Sequence, residues 1–112
     1  MEKSKVYFAD MRVSGSDNLL KKLKRLILAA GIDTIDFKNK YAAIKIHFGE
    51  PGNLSYLRPN YSKVLVDTVN ELGGKAFLTD SNTLYVGGRK NALDHLDAAY
   101  QNGFNPFVPG CH

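Results

Sequence analysis

Ala42-Ala43-Ile44-Lys45-Ile46-His47-Phe48-Gly49-Glu50-Pro51-Gly52-Asn53 decides how this chain is read. A short run of β-branched and aromatic residues stops abruptly in a turn of glycine, proline and groups able to do chemistry. The same succession occurs twice more. Ala76-Phe77-Leu78-Thr79 runs into Asp80-Ser81-Asn82-Thr83, and Val6-Tyr7-Phe8-Ala9 runs into Asp10. A stretch with helical spacing follows each one. Strands that alternate with helices favour parallel pairing through right-handed crossovers. Such sheets gather their ligands at the carboxyl ends of the strands.

Working outward, the first strand is expected at Lys5–Asp10. Asp17 is a candidate N-cap for a helix over Asn18–Ala30. Leu19, Leu20, Leu23, Leu26, Ile27 and Ala30 form its apolar stripe, and Gly31 stands where a left-handed stop belongs. Ile32–Lys40 reads as a connector anchored by Ile35 and Phe37. The second strand is Ala42–Phe48. Pro59 suits the first turn of a helix over Asn60–Leu72, which Gly73-Gly74 ends. The third strand is Lys75–Thr79, and a third helix spans about Lys90–Asn102. Phe107-Val108 can start a fourth strand, at an edge because Pro106 and Pro109 flank it. The expectation is an α/β fold, a three-layer sandwich in which a mainly parallel open sheet carries helices on both faces. It reads as one domain over 1–112, the truncated N-terminal part of a longer protein. An open sheet edge left by that truncation offers a route to self-association.

Composition bounds the function. The chain has 112 residues, 44% of them hydrophobic, and a formal charge of +4. Lys21, Lys22, Lys24 and Arg25 supply much of that charge from one helix and read as a solvated face. No nucleic-acid module accompanies them, so no nucleic-acid partner is expected. No apolar run approaches the ~20 residues that cross a bilayer. The polar start Met1–Lys5 is not a signal sequence, and the single cysteine, Cys111, forbids an intrachain disulfide. A cytoplasmic location and no membrane partner are the expectations. The glycine turn lacks both P-loop and G-x-G-x-x-G spacing, and no serine has a Gly-x-Ser-x-Gly setting.

Candidate site residues follow from chemistry. His47 offers proton transfer or metal ligation near neutral pH, and Glu50 a base or hard ligand. Gly49 lets the backbone approach a ligand closely. Arg58 precedes the second helix, where its guanidinium and free N–H groups suit an anion. Asp80 should emerge beside His47 at the same sheet edge, so these two are the candidate metal ligands or acid–base pair. Asn53, Asn82 and Tyr85 complete the ligand-binding set on the two loops. The competing reading makes Gly49–Asn53 an ordinary turn and Asp80–Asn82 its counterpart on the next strand. His95, inside the third helix, reads as a surface or packing histidine. No catalytic residue is assigned, and the partner is an unknown small molecule or metal ion.

Lys5–Asp10, Ala43–Asn53 and Phe77–Tyr85, with Asn91–Leu96 and Asn102-Gly103-Phe104, resemble the opening of an uncharacterised bacterial and archaeal family. That family comprises ferredoxin-like iron–sulfur proteins, also grouped as a domain of unknown function. The resemblance implies a chain of several hundred residues whose downstream segment carries cysteines for 4Fe-4S clusters. It implies an iron–sulfur cofactor for the full-length protein and the remainder of that protein as a partner. No cluster ligand lies in this chain, since Cys111 matches no such motif and four thiolates are needed. The leading expectation is a ligand-binding platform of an iron–sulfur protein. The alternatives are a metal-assisted enzyme and a structural or interaction module.

Overall fold

Tyr41–Lys45 (β1) and Lys75–Thr79 (β2) pair in parallel, with Tyr41 opposite Lys75 and Lys45 opposite Thr79. The structure is a computed structural model that describes residues 2–112. Parallel neighbours need a crossover, and Pro59–Glu71 (α2) supplies it. Pro59 takes the first helical position, where its missing N–H costs nothing. Val66 and Val69 of α2 meet Ala76 of β2 in the core, and Phe37, Ala42, Ile44 and Leu78 pack around them. The α/β class and the parallel pairing are therefore as the sequence indicates.

The chain divides into two units, Met1–Asp36 and Phe37–His112. The first contains Leu19–Ala29 (α1) and a short 3₁₀ turn at Ile32–Thr34. Asn18, not Asp17, caps α1, its side chain accepting from the Lys21 N–H. Asp17 instead accepts two hydrogen bonds from Arg25. Lys22 donates to Asp10 and to the Arg12 carbonyl. Gly31 adopts a φ of 92°, the left-handed stop its position suggests. The expected strand at Lys5–Asp10 does not form. It has β propensity but no ladder partner among the described residues, and Val6 and Phe8 are 90% and 85% exposed.

The second unit holds the sheet, α2 and Ala92–Gln101 (α3). Asn91 caps α3, accepting from the Leu93 and Asp94 N–H groups at 3.1 Å each. The sheet has two strands. The face bearing Tyr41, Ala43 and Phe77 is exposed, opposite the face that α2 covers. The expected fourth strand at Phe107-Val108 is replaced by turns over 105–110. Asn105 folds back there, its side chain accepting from the Phe107 N–H and its carbonyl from Val108. The chain still reaches the outer edge of β2, where the Leu78 N–H donates to the His112 carbonyl at 2.8 Å. No described helix is long and apolar enough to cross a membrane.

Candidate functional site

The loops that leave β1 and β2 are fastened together by Glu50 and Arg89. Arg89 Nε donates to Glu50 Oε2 at 2.7 Å, and the Gly88 N–H donates to Glu50 Oε1. Arg89 also donates to the Tyr85 hydroxyl at 2.6 Å and reaches Asp80 Oδ2 at 3.5 Å. The guanidinium is only 3% exposed as part of its residue, yet each of its nitrogens has a partner. The Arg89 hydrogen bond, opposed by burial and helped by the Gly88 N–H, holds the Glu50 carboxyl below its ordinary value. Glu50 and Tyr85 thus serve as anchors of the loop pair.

Asp80 stands where β2 ends. Its Oδ1 accepts from Lys45 Nζ at 2.7 Å and from the Ser81 N–H at 2.8 Å. Burial works to raise its pKa, but Lys45 and the Ser81 N–H prevail and hold it below 3.8. His95 packs beside it, with Nε2 3.8 Å from Asp80 Oδ2 and Nδ1 3.0 Å from Asn82 Oδ1. The imidazole is buried, 6% exposed, and meets the Phe48 ring edge-on with centroids 5.6 Å apart. His95 lies on the stripe of Ala92 and Ala99, at helical spacing from both. Of the surface and packing roles the sequence allows, His95 takes the packing one, beside buried Ala99.

Between the end of β2, α3 and the segment after it lies a cavity of about 350 Å³. Phe48, Leu78, Leu96, Phe104 and Pro106 give it apolar walls, and Asp80, Asn82 and His95 a polar end. Among the described residues, His95 Nε2 is the buried side-chain polar atom with no hydrogen-bond partner. A second cavity, about 490 Å³, lies along the outer edge of β2 between Tyr41 and His112 and has no such atom.

The sequence candidates separate into groups. Asp80 and Asn82 line the first cavity; His47, Gly49, Glu50, Asn53, Arg58 and Tyr85 do not. His47 is exposed and its Nδ1 accepts from the Gly49 N–H at 2.9 Å. Asn53 shapes its own turn, donating its N–H to Glu50 and accepting from the Ser55 N–H. Arg58 is exposed at the start of α2. Asp80 is engaged by Lys45, and no three His, Cys, Asp or Glu side chains of the described residues are grouped to hold a metal. A 4Fe-4S cluster does not fit this donor set either. It asks for four thiolates, and the chain offers one, which burial pushes toward the protonated form.

Burial holds the His95 imidazole below 6.5, more strongly than nearby Asp80 raises it. The unfolded chain therefore binds a proton first as the pH falls. The stability from neutral His95 is complete above about pH 6.5 and is lost as the pH drops through the folded value. Asp80 and Glu50, both depressed, add a further loss below their ordinary range near pH 4. Urea midpoints should fall from pH 7 to pH 5 in the parent and stay nearly level over that window in His95→Gln. Equal slopes in both chains would show that His95 is not the group responsible.

No curated protein and no solved structure matches this chain. A protein-family profile does match, over residues 42–112, which is well over half of the sequence. The matched stretch starts inside β1, carries α2, β2 and α3, and includes Glu50, Asp80, Asn82, Arg89 and His95. It leaves out Lys5–Asp10 and α1, and its description names no reaction, ligand or cofactor. The fold unit that builds the cavity is thus the unit the profile describes, and the chain belongs to the family Domain of unknown function (DUF362).

Proposed function

We propose that Phe37–His112 is a small-molecule-binding domain whose ligand sits between β2 and α3. The observation that carries this reading is the apolar cavity of about 350 Å³ ending on the buried His95, whose Nε2 has no partner. A group buried without a hydrogen bond is costly, and a ligand that supplies one recovers that cost. The volume suits a one- or two-ring molecule, at the small end of ordinary ligand pockets. By its resemblance to ferredoxin-like iron–sulfur proteins, this domain is the ligand platform of a longer redox protein. The clusters would be held by cysteines outside this chain.

Ala92 opens α3 and lines the cavity while remaining exposed, so enlarging it fills space without entering the core. Naphthalene, a neutral two-ring probe read by its own fluorescence, should bind the parent saturably. Ala92→Phe should weaken that binding at least about tenfold, since displacing a ring from its pocket forfeits well over 1 kcal/mol of apolar contact. Circular dichroism provides the control for folding. Equal binding by both chains, or no saturable binding by the parent, would refute the reading.

A further inference from the structure

Resting on the proposal that this cavity binds a small molecule, we infer that its ligand is a neutral aromatic alcohol whose hydroxyl is received at His95. The polar end of the cavity is rich in acceptors. Asn82 Oδ1 faces Nδ1 at 3.0 Å, so we assign the proton of the neutral imidazole to Nδ1, where Asn82 can accept it. Nε2 is then a lone pair without a donor, beside the carboxylate oxygen Asp80 Oδ2 at 3.8 Å. That oxygen's own nearest donor, Arg89 Nη1, is at 3.5 Å, the outer limit of a hydrogen bond. Two acceptors side by side ask for a ligand that brings a hydrogen.

Charge selects which donor. Lys45 and Arg89 balance Asp80 and Glu50, two cations against two anions, and all four are held by one another. An ammonium would add a third cation beside Lys45 and Arg89, and a carboxylate a third anion beside Asp80. Either would enter an apolar-walled cavity without a free counter-charge, which is expensive. A hydroxyl supplies the hydrogen and leaves the balance intact. The walls select the body. Phe48 and Phe104 meet at 70° with centroids 5.2 Å apart, so their ring faces and edges offer flat apolar surface, and Leu78 and Pro106 continue it. Nε2 is closed off from solvent, so the hydroxyl reaches it as the side chains over it move aside.

Four probes of one ring system separate these terms: naphthalene, 2-naphthol, 2-naphthoate and 2-naphthylmethylammonium, each titrated against the full chain at pH 7.5 by fluorescence. One added hydrogen bond predicts that 2-naphthol binds about tenfold tighter than naphthalene, with both charged probes weaker than 2-naphthol. His95→Phe should bring 2-naphthol down to the affinity of naphthalene and leave naphthalene within about twofold of the parent, since one ring replaces another. Saturable but equal binding of naphthalene and 2-naphthol would overturn the ligand class while leaving the binding cavity in place. Tightest binding by a charged probe would overturn the neutrality argument. A preference for 2-naphthol that survives in His95→Phe would remove His95 from the role. Binding of none of the four would overturn the cavity's function together with its ligand. The parent series decides the ligand class even if the variant fails to fold.

Discussion

Arg89→Ala should cost about 3 kcal/mol of stability, read as a fall in the urea midpoint at unchanged slope. Arg89 is one of the few charged side chains buried in the chain, and it joins three groups from two loops: Glu50, Asp80 and the Tyr85 hydroxyl. Truncating it leaves Glu50 facing only the Gly88 N–H and leaves Asp80 to Lys45 and the Ser81 N–H. Breaking a buried pair on one side is far worse than replacing it, because the remaining charge stays desolvated. Arg89→Met keeps much of the volume and should lie between the parent and Arg89→Ala. A loss below about 1 kcal/mol for Arg89→Ala would mean that the pair behaves as an ordinary surface bridge. Against a total stability of about 5–15 kcal/mol, the expected loss would leave a visible unfolded fraction on mild warming.

Gly49→Ala should cost roughly 2–4 kcal/mol for two reasons that add. Its φ of 84° lies in the left-handed region, and it is buried. A Cβ built there would stand 2.5 Å from Asn102 Nδ2 and 2.7 Å from Tyr56 Cδ1. Neither neighbour can yield freely. Asn102 donates to the Phe48 carbonyl at 2.9 Å and accepts from the Tyr56 hydroxyl at 3.2 Å, so moving it breaks a bridge between β1's loop and the end of α3. Gly52 shares the same φ of 84° but faces open space, so Gly52→Ala is the control for backbone strain alone. The difference between the two variants isolates the steric part. Equal losses would show that the contacts around Gly49 relax without cost.

The helices were legible because their signals are local. Gly31 closes α1 and Pro59 opens α2 where the sequence places them, and Lys75–Thr79 is the strand expected. Caps are decided by single side chains, and the cap of α1 stands at Asn18, one residue past the expected Asp17. Strands are another matter, since a strand exists only through a partner. Val6-Tyr7-Phe8-Ala9 has the composition of a strand, but nothing in its own residues states what it would pair with. The site was legible in part for the same reason. Asp80 and Asn82 sit at a strand's carboxyl end and do line the cavity. His95 and Arg89 come from α3 and the loop before it, and only the third dimension brings them to Asp80. His47, expected beside Asp80, does not line that cavity, and its ring accepts from the Gly49 N–H.

The parallel pair has a consequence for how the chain acquires its shape. Every hydrogen bond between β1 and β2 waits for the whole of α2 to be laid down, because Tyr41 has to meet Lys75. The Glu50–Arg89 contact closes a still longer stretch, 39 residues apart in sequence. Closing such loops is paid in chain entropy before any contact returns free energy. Folding of this unit is therefore governed by long-range encounter, in the slower range of small domains rather than the microseconds of helical bundles. During synthesis, Ala42 and Ile44 emerge with no strand to join. Until Ala76 and Leu78 follow, the amphipathic side of α2 is the surface nearest in sequence able to shelter them.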